Sequence, residues 1–291
     1  MDTPTIPDFE YRRVPVAPGV ALNVAIGGRG RPIVLLHGFP QTHLMWRHVA
    51  ARLAADFTVI CPDLRGYGAS DKPAEADGDT YSKRTMAADI VALAAALGHE
   101  RFALAGHDRG ALVAFRAGLD HPATITHLAC LDVLPTLDMW DVMHGVDAAV
   151  GFHLYLMAQP PGLPEQLIAN SPDAFFGHFL DIWGLDAFPA AIRAAYLDAC
   201  REAVPSIVAD YRASATTDLE HDRADRAAGN LLRMPVTVLQ QDWGAALGFD
   251  AAARWRAWTE HLTHATVTSG HFMAEEDPDR ITAELRALLE R

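Results

Sequence analysis

The chain has 291 residues, with 24 Lys or Arg against 37 Asp or Glu and a formal net charge of −13. That balance argues against nucleic acid or an anionic membrane surface as the main partner, because both are held by an excess of Lys and Arg. Hydrophobic residues make up 50% and charged residues 21%, which excludes disorder for most of the chain and supplies a sizeable core.

No apolar run reaches the roughly 18 residues that cross a bilayer, and MDTPTIPDFEYRR lacks the apolar centre of a signal peptide. A soluble, cytoplasmic protein is expected. Cys61, Cys130 and Cys200 are odd in number and far apart, which fits reduced thiols packed as small hydrophobes. The 14 histidines form no HExxH and have no C-x-x-C companion, so no metal or other cofactor is expected.

In chain order, Pro32–Leu36 and Phe57–Cys61 are short apolar runs that read as buried strands. Met86, Ile90, Leu93 and Leu97 recur at helical spacing before Gly98, which predicts an amphipathic helix from Lys83. Phe102–Gly106 reads as the next strand, and Ala111–Leu119 as the next helix. This alternation predicts a parallel sheet covered by helices. It lapses between about Pro135 and Asn230, a proline-rich and aromatic stretch with only helical patterns. Val236–Gln240 resumes the strand pattern, Ala265–Thr268 reads as the last strand, and Ile281, Leu285, Leu288 and Leu289 mark a final helix. The expected division is a core of residues 1–134 and 231–291 around a helical cap of 135–230.

Gly106-His107-Asp108-Arg109-Gly110 lies between a predicted strand and a predicted helix. It has the form of a nucleophile elbow, with aspartate in the nucleophile's place and glycines that permit the sharp turn. A plainer reading makes Asp108 a helix cap. His37-Gly38-Phe39-Pro40 follows a strand where a loop supplies one oxyanion-hole amide, that of Phe39, while Arg109 N supplies the other. His271 follows the last strand, where it can serve as base. Asp132, after the strand that follows the elbow helix, and Asp242, after Val236–Gln240, are both candidates for the acid that orients it.

An aspartate nucleophile selects its chemistry. A serine attacking a saturated carbon would leave an ether, whereas a carboxylate leaves an ester that a histidine-activated water can cleave. That points to carbon–halogen bonds or epoxides.

With HGFPQTHLMW at 37–46, PDLRGYGASDKP at 62–73, GHDRG at 106–110, LDVLPT at 131–136 and GHF at 270–272, the chain resembles the α/β-hydrolase superfamily, and within it the fluoroacetate dehalogenases. Asp-Arg-Gly is the specific element, because haloalkane dehalogenases and many epoxide hydrolases carry tryptophan after the aspartate. The resemblance implies a mostly parallel eight-stranded sheet with a cap, Asp132 as the acid, and a homodimer. It also implies that Arg109 binds a substrate carboxylate, that His153 and Tyr211 hold the departing halide, and that Trp183 lines the same cavity. Two positions depart from the family pattern: Leu112 stands where a second arginine is expected, and Leu154 where a tryptophan is expected. Both make the pocket more apolar and favour a substrate bulkier or less charged than fluoroacetate, or an easier leaving group such as chloride or bromide. An epoxide hydrolase using Tyr211, with Tyr155 as a second proton donor, is the alternative activity. A ligand-binding protein that retains the fold without turnover is the alternative from another class.

Overall fold

The structure is a computed structural model and describes residues 4–186, 188–243 and 247–291. Among these, eight strands form one sheet: β1 (Glu10–Ala17), β2 (Val20–Gly27), β3 (Arg31–Leu36), β4 (Phe57–Pro62), β5 (Phe102–His107), β6 (Ile125–Leu131), β7 (Val236–Gln240) and β8 (Leu262–Thr266). Their spatial order is β1-β2-β4-β3-β5-β6-β7-β8. β1 pairs with β2, and β2 with β4, antiparallel; every other neighbour is parallel.

The central strands lie under helices on both faces and read as continuous apolar runs for that reason. All six residues of β5 are buried, and so are the last four of β3. Burying each large aliphatic side chain contributes roughly 1.5–3 kcal/mol. The helices of the sheet region are α1 (Arg47–Leu53), α2 (Lys83–Ala96) and α3 (Arg109–Asp120). Ser82 Oγ caps α2 by accepting from Thr85 N, and Gly98, at φ +86°, ends it in the left-handed conformation that glycine adopts without a Cβ penalty.

Seven further helices separate β6 from β7 among the described residues. They are α4 (Thr136–Val142), α5 (Phe152–Met157), α6 (Leu163–Asn170), α7 (Pro172–Ile182), α8 (Ala190–Glu202), α9 (Val204–Ala215) and α10 (Thr217–Ala228). After β7 come α11 (Ala251–Arg256), α12 (Met273–Glu276) and α13 (Pro278–Leu289). None of the described helices is long and apolar enough to cross a membrane. Cys61, Cys130 and Cys200 are all unpaired and buried.

Three elements differ from the sequence reading. The antiparallel pair β1–β2 has no counterpart among the predicted strands: β1 is an edge strand with one fully buried residue, and its Pro15 sits beside an irregularity in the register. Proline is tolerated on such an edge, where no ladder bond is lost. β8 lies at Leu262–Thr266, earlier than the Ala265–Thr268 run, because the opposite edge strand is only partly buried and its apolar signal is weak. α13 begins at Pro278, ahead of its first apolar residue, and Asp277 caps it by accepting from Arg280 N.

Sheet register carries the chain's functional segments to one edge. Leu36 pairs with Gly106, His107 with Leu131, and Leu131 with Leu239. The strands therefore end level, and the residues just past them, Gly38-Phe39, Asp108, Asp132 and Gln241, gather outside their carboxyl ends. That is the usual place for a site in an open parallel sheet.

Candidate active site

Asp108 stands in the turn from β5 to α3 at φ +49° and ψ −118°. For a non-glycine residue that conformation costs on the order of 1–3 kcal/mol and persists only where the surroundings enforce it. The two flanking glycines contribute differently from the sequence reading, since neither has positive φ. A Cβ on Gly106 would meet Gly110 O at 2.3 Å, and one on Gly110 would meet His37 O at 2.3 Å. They allow strand, turn and loop to touch, while Asp108 itself takes the strained angle. No capping bond forms from the Asp108 side chain. Its carboxylate instead accepts from Phe39 N at 2.7 Å and from the amide of Arg109.

His271 is held at both its ring and its backbone. Nδ1 donates to Asp132 Oδ2 at 2.6 Å. The same carboxylate accepts from Gln241 Nε2 at 2.7 Å, Gln241 N at 2.9 Å and Trp243 Nε1 at 3.0 Å. Of the two acid candidates, then, Asp132 meets the imidazole, and the residues flanking Asp242 hold Asp132 in place. Asp242 lies on the cavity wall. The backbone of His271 donates to Trp183 O at 2.9 Å and accepts from His107 Nε2 at 2.8 Å. The sequence reading does not single out His107; its position inside the elbow motif is the available signal. These contacts leave His271 Nε2 buried with no protein partner among the described residues.

A cavity of about 510 Å³ opens over these groups, lined among others by Asp108, Arg109, Asp132, His153, Trp183, Tyr211 and His271. His153 from α5 and Tyr211 from α9 face each other with ring centroids 5.5 Å apart. His153 Nδ1 and Tyr211 Oη are both buried without a protein partner, so donors of both kinds are free to meet a ligand. Trp183 packs its ring against His153 and His271 at 5.1 and 4.9 Å. Leu112 and Leu154 also line the cavity. Tyr155 is not brought to this site: its hydroxyl donates to Met143 O, and its ring is not part of the lining.

Arg109 borders the cavity, but most of its donors are engaged. Nε donates to Asp210 Oδ2 at 2.9 Å, and Nη2 donates to Asp210 Oδ1 at 3.0 Å, Asp210 O at 2.9 Å and Ser214 Oγ at 2.6 Å. Its guanidinium carbon lies 4.1 Å from the centre of the Tyr211 ring, a cation–π contact that fixes the phenol. Asp210 also pairs with Lys83 Nζ and accepts from Tyr67 Oη at 2.5 Å, and Lys83 N donates to Asp218 Oδ1 at 2.7 Å. Nothing in the local sequence marks Asp210, although it adjoins Tyr211. Its partners lie 101 and 127 residues away.

Burial sets the protonation of the site. It pushes the Asp108 carboxyl above the ordinary carboxylate range, against the opposing pull of the His271 and Arg109 charges and the two amides. It pulls His153 down to about 3, with the charges of Arg109 and His271 acting in the same sense, so His153 is neutral. For His271, burial pulls down, but the bond to and charge of Asp132, then the charges of Asp108 and Glu276, outweigh it and raise the pKa. Burial also raises Tyr211 well above the usual phenol value, which keeps its proton in place. No group of three or more His, Cys, Asp or Glu side chains among the described residues is arranged to hold a metal ion.

The α/β hydrolase fold family matches residues 31–157. A fluoroacetate dehalogenase from Burkholderia sp is 38% identical over 288 residues, covering 97% of this chain and 94% of its own. The chain belongs to the α/β-hydrolase family. This α/β hydrolase is also similar to a soluble epoxide hydrolase from Corynebacterium sp. (strain C12), at 31% identity over 269 residues, 89% of this chain and 90% of that one. Among solved structures it superposes on ALR0039 from Nostoc sp PCC 7120 with a TM-score of 0.93 and 38% identity, covering 98% of this chain and 99% of the other. The epoxide hydrolase CorEH superposes with a TM-score of 0.86 and 27% identity over 97% of this chain and 99% of its own.

Proposed function

We propose that this hydrolase cleaves a carbon–halogen bond at a saturated carbon through an ester on Asp108, with residues 135–230 acting as a cap over the site. The observation that carries the reading is the Asp108 carboxylate itself, turned from its helix and held by the Phe39 and Arg109 amides beside a histidine paired to Asp132.

In the first step an Asp108 oxygen attacks carbon from the side opposite the halogen, and the halide leaves with the bonding electrons. The N–H of neutral His153 and the Tyr211 hydroxyl solvate it, replacing the water a small anion would otherwise hold. In the second step His271 Nε2 takes a proton from water, and the oxygen attacks Asp108 Cγ. The negative charge that develops on the carboxyl oxygen falls to the amides of Phe39 and Arg109. Collapse expels the alcohol, which His271 protonates, and the Asp108 carboxylate is restored with a halide, an alcohol and a proton as products. His271 is not needed to ionise the nucleophile; its work is in the second step, and Asp132 keeps its proton on Nδ1 so that Nε2 is the basic atom.

The raised pKa of Tyr211 and the neutrality of His153 favour a halide, which needs donors but no transferred proton. Epoxide opening is the second reading, supported by the unpartnered Tyr211 hydroxyl, which can protonate a ring oxygen. Intact-mass and peptide mass spectrometry of His271→Asn test the ester directly. With a haloacid, a haloamide and an epoxide as probes, an adduct is expected on Asp108, absent from Asp108→Asn/His271→Asn. A single wild-type turnover in isotopically labelled water should place the label in Asp108 and leave the alcohol unlabelled. Label in the alcohol, or no adduct from any probe the wild type consumes, overturns the mechanism.

A further inference from the structure

The charge around Asp108 departs from what an anionic substrate needs. Arg109, next to Asp108 in the chain, gives Nε to Oδ2 and Nη2 to Oδ1 of the fully buried Asp210; Lys83 shares Oδ1 and Tyr67 shares Oδ2. Lys83 is shared in turn with Asp218, which lies 3.4 Å from its Nζ. Two cations and two carboxylates thus close on each other within the protein, and the four side chains together carry no net charge to attract a carboxylate. Asp108 and Asp132 line the same cavity with His271, so these three groups carry a net negative charge even with His271 protonated. An approaching anion is repelled there, in a low-dielectric space where Coulomb terms are strong.

The space itself is large and apolar. About 510 Å³ lies within the range of roughly 300–1,000 Å³ that encloses drug-sized molecules. Leu112, Val133 and Leu134 line the cavity with Arg109, and Val150, Ile182 and Leu185 line it from the segment between β6 and β7. The last three are also 44%, 53% and 70% exposed. An apolar strip therefore runs from the cavity out to solvent, and exposed apolar surface continuous with a site is a mark of ligand contact.

We propose that the substrate is an uncharged molecule with an extended apolar body, and that Asp210 is the residue that sets this preference by occupying Arg109. The proposal rests on the reading of Asp108 as nucleophile. Asp210 acts through Arg109 and the Tyr211 ring stacked on it, which makes it a positioning residue. The substrate's reacting carbon lies at Asp108, and its apolar body follows the strip past Leu154 toward Ile182 and Leu185.

Two substrate pairs test this: chloroacetate with chloroacetamide, and 2-chlorohexanoate with 2-chlorohexanamide. The wild type is expected to favour the amide over the acid at least tenfold in kcat/KM in both pairs, and the six-carbon amide over the two-carbon one. Asp210→Asn keeps the shape and frees Arg109, so it should raise the acid-to-amide ratio at least tenfold; a merely structural defect would lower both rates and leave the ratio unchanged. Where that variant fails to fold by circular dichroism, Asp218→Asn, which likewise leaves this network one positive charge in excess, is expected to shift the ratio in the same direction. Leu185→Glu should lower kcat/KM for the six-carbon amide by a larger factor than for chloroacetamide, so that the preference for the longer chain shrinks. Calorimetric binding of unreactive hexanamide and hexanoate to the wild-type enzyme separates this inference from the mechanism beneath it. Tighter binding of hexanoate, or a wild-type preference for the acids, overturns the inference whether or not an Asp108 adduct forms. An absent adduct with hexanamide bound overturns only the mechanism.

Discussion

Replacing Asp132 with asparagine isolates the acid's contribution, because the amide matches the carboxylate in shape and keeps its backbone position. The present carboxylate accepts four bonds, from His271 Nδ1, Gln241 N, Gln241 Nε2 and Trp243 Nε1. An asparagine can keep its oxygen toward Gln241 N and Trp243, but its NH₂ then faces His271 Nδ1. The imidazole must turn its proton to Nε2, the atom that has to accept one from water. A lost charge-assisted bond alone costs about 1.5–3 kcal/mol, roughly 10–150-fold in rate. The inverted tautomer takes the loss toward the ~10⁴-fold seen when the equivalent aspartate of a serine protease is changed this way. Because ionised Asp108 attacks without a base, the two steps should separate. A rapid first release of halide, one per active site, is expected, followed by slow turnover, with the alkylated protein visible by intact-mass spectrometry. Asp242→Asn, whose carboxylate does not meet His271 Nδ1, should retain most of the steady-state rate. If Asp132→Asn turns over within tenfold of wild type, or Asp242→Asn is the more damaged variant, the assignment of the acid is wrong.

Other outcomes turn on single contacts. A Cβ at Gly38 would lie 2.5 Å from Asp108 Cβ and 2.7 Å from Oδ1, so Gly38→Ala should displace the nucleophile and cut alkylation at least 100-fold, measured as the halide burst, with the far-ultraviolet dichroism unchanged. Asp108 has a raised pKa and reacts ionised, so kcat/KM should rise with pH through a value above the ordinary carboxylate range; a limb at or below that range refutes it. His271→Ala should leave that limb in the halide burst and remove turnover. In the fold, burial pushes Asp222 up to about 6 despite its 2.6 Å bond to Arg116. The native state therefore binds this proton more tightly than the unfolded chain does. The stabilisation is complete below about pH 4 and is lost as pH rises through 6. In thermal melts the advantage of wild type over Asp222→Asn should be greatest at the acid end and shrink across that window.

Much of the sheet and the tight turn at Asp108 was legible in the sequence because both are local signals. Val-Leu-Leu, Val-Ile-Cys and Phe-Ala-Leu-Ala are buried on both faces and carry no polar interruption, and a glycine-flanked residue between strand and helix is a pattern set by close packing within five residues. Edge strands were less legible: β1 is mostly exposed with Val14 alone buried, and β8 carries threonine and histidine on a half-exposed rim. The surroundings of Arg109 were illegible for a different reason. The family resemblance marked Tyr211, but whether Asp210 faces solvent or a guanidinium is decided by how α9 docks on α3, a contact no local pattern encodes. Gln241 and Trp243 were hidden similarly, since a carboxylate between them drew attention to itself and away from the two donors that serve Asp132.

The two aspartates of the site share a conformation, and it ties the strain in the backbone to the chemistry. Asp108 and Asp132 are at φ +49° and +53°, each just past the end of one of two adjacent parallel strands. Each is pinned there by its own amide, Asp108 N to Leu131 O at 3.0 Å and Asp132 N to Leu239 O at 2.8 Å. The ladder bonds thus continue one residue beyond the strands and hold both side chains upright at the rim, where His271 feels both charges. In the proposed cycle this coupling orders the steps. While Asp108 is ionised it helps hold the proton on His271; once alkylated it is a neutral ester, and that share of the attraction vanishes while the share of Asp132 remains. The imidazole therefore becomes free to accept a proton from water at a lower pH after the nucleophile has reacted than before. Single-turnover hydrolysis of the Asp108 ester in the wild-type enzyme should accordingly titrate below the His271 of the resting enzyme, and an equal or higher value would mean that the two charges are not coupled across this rim.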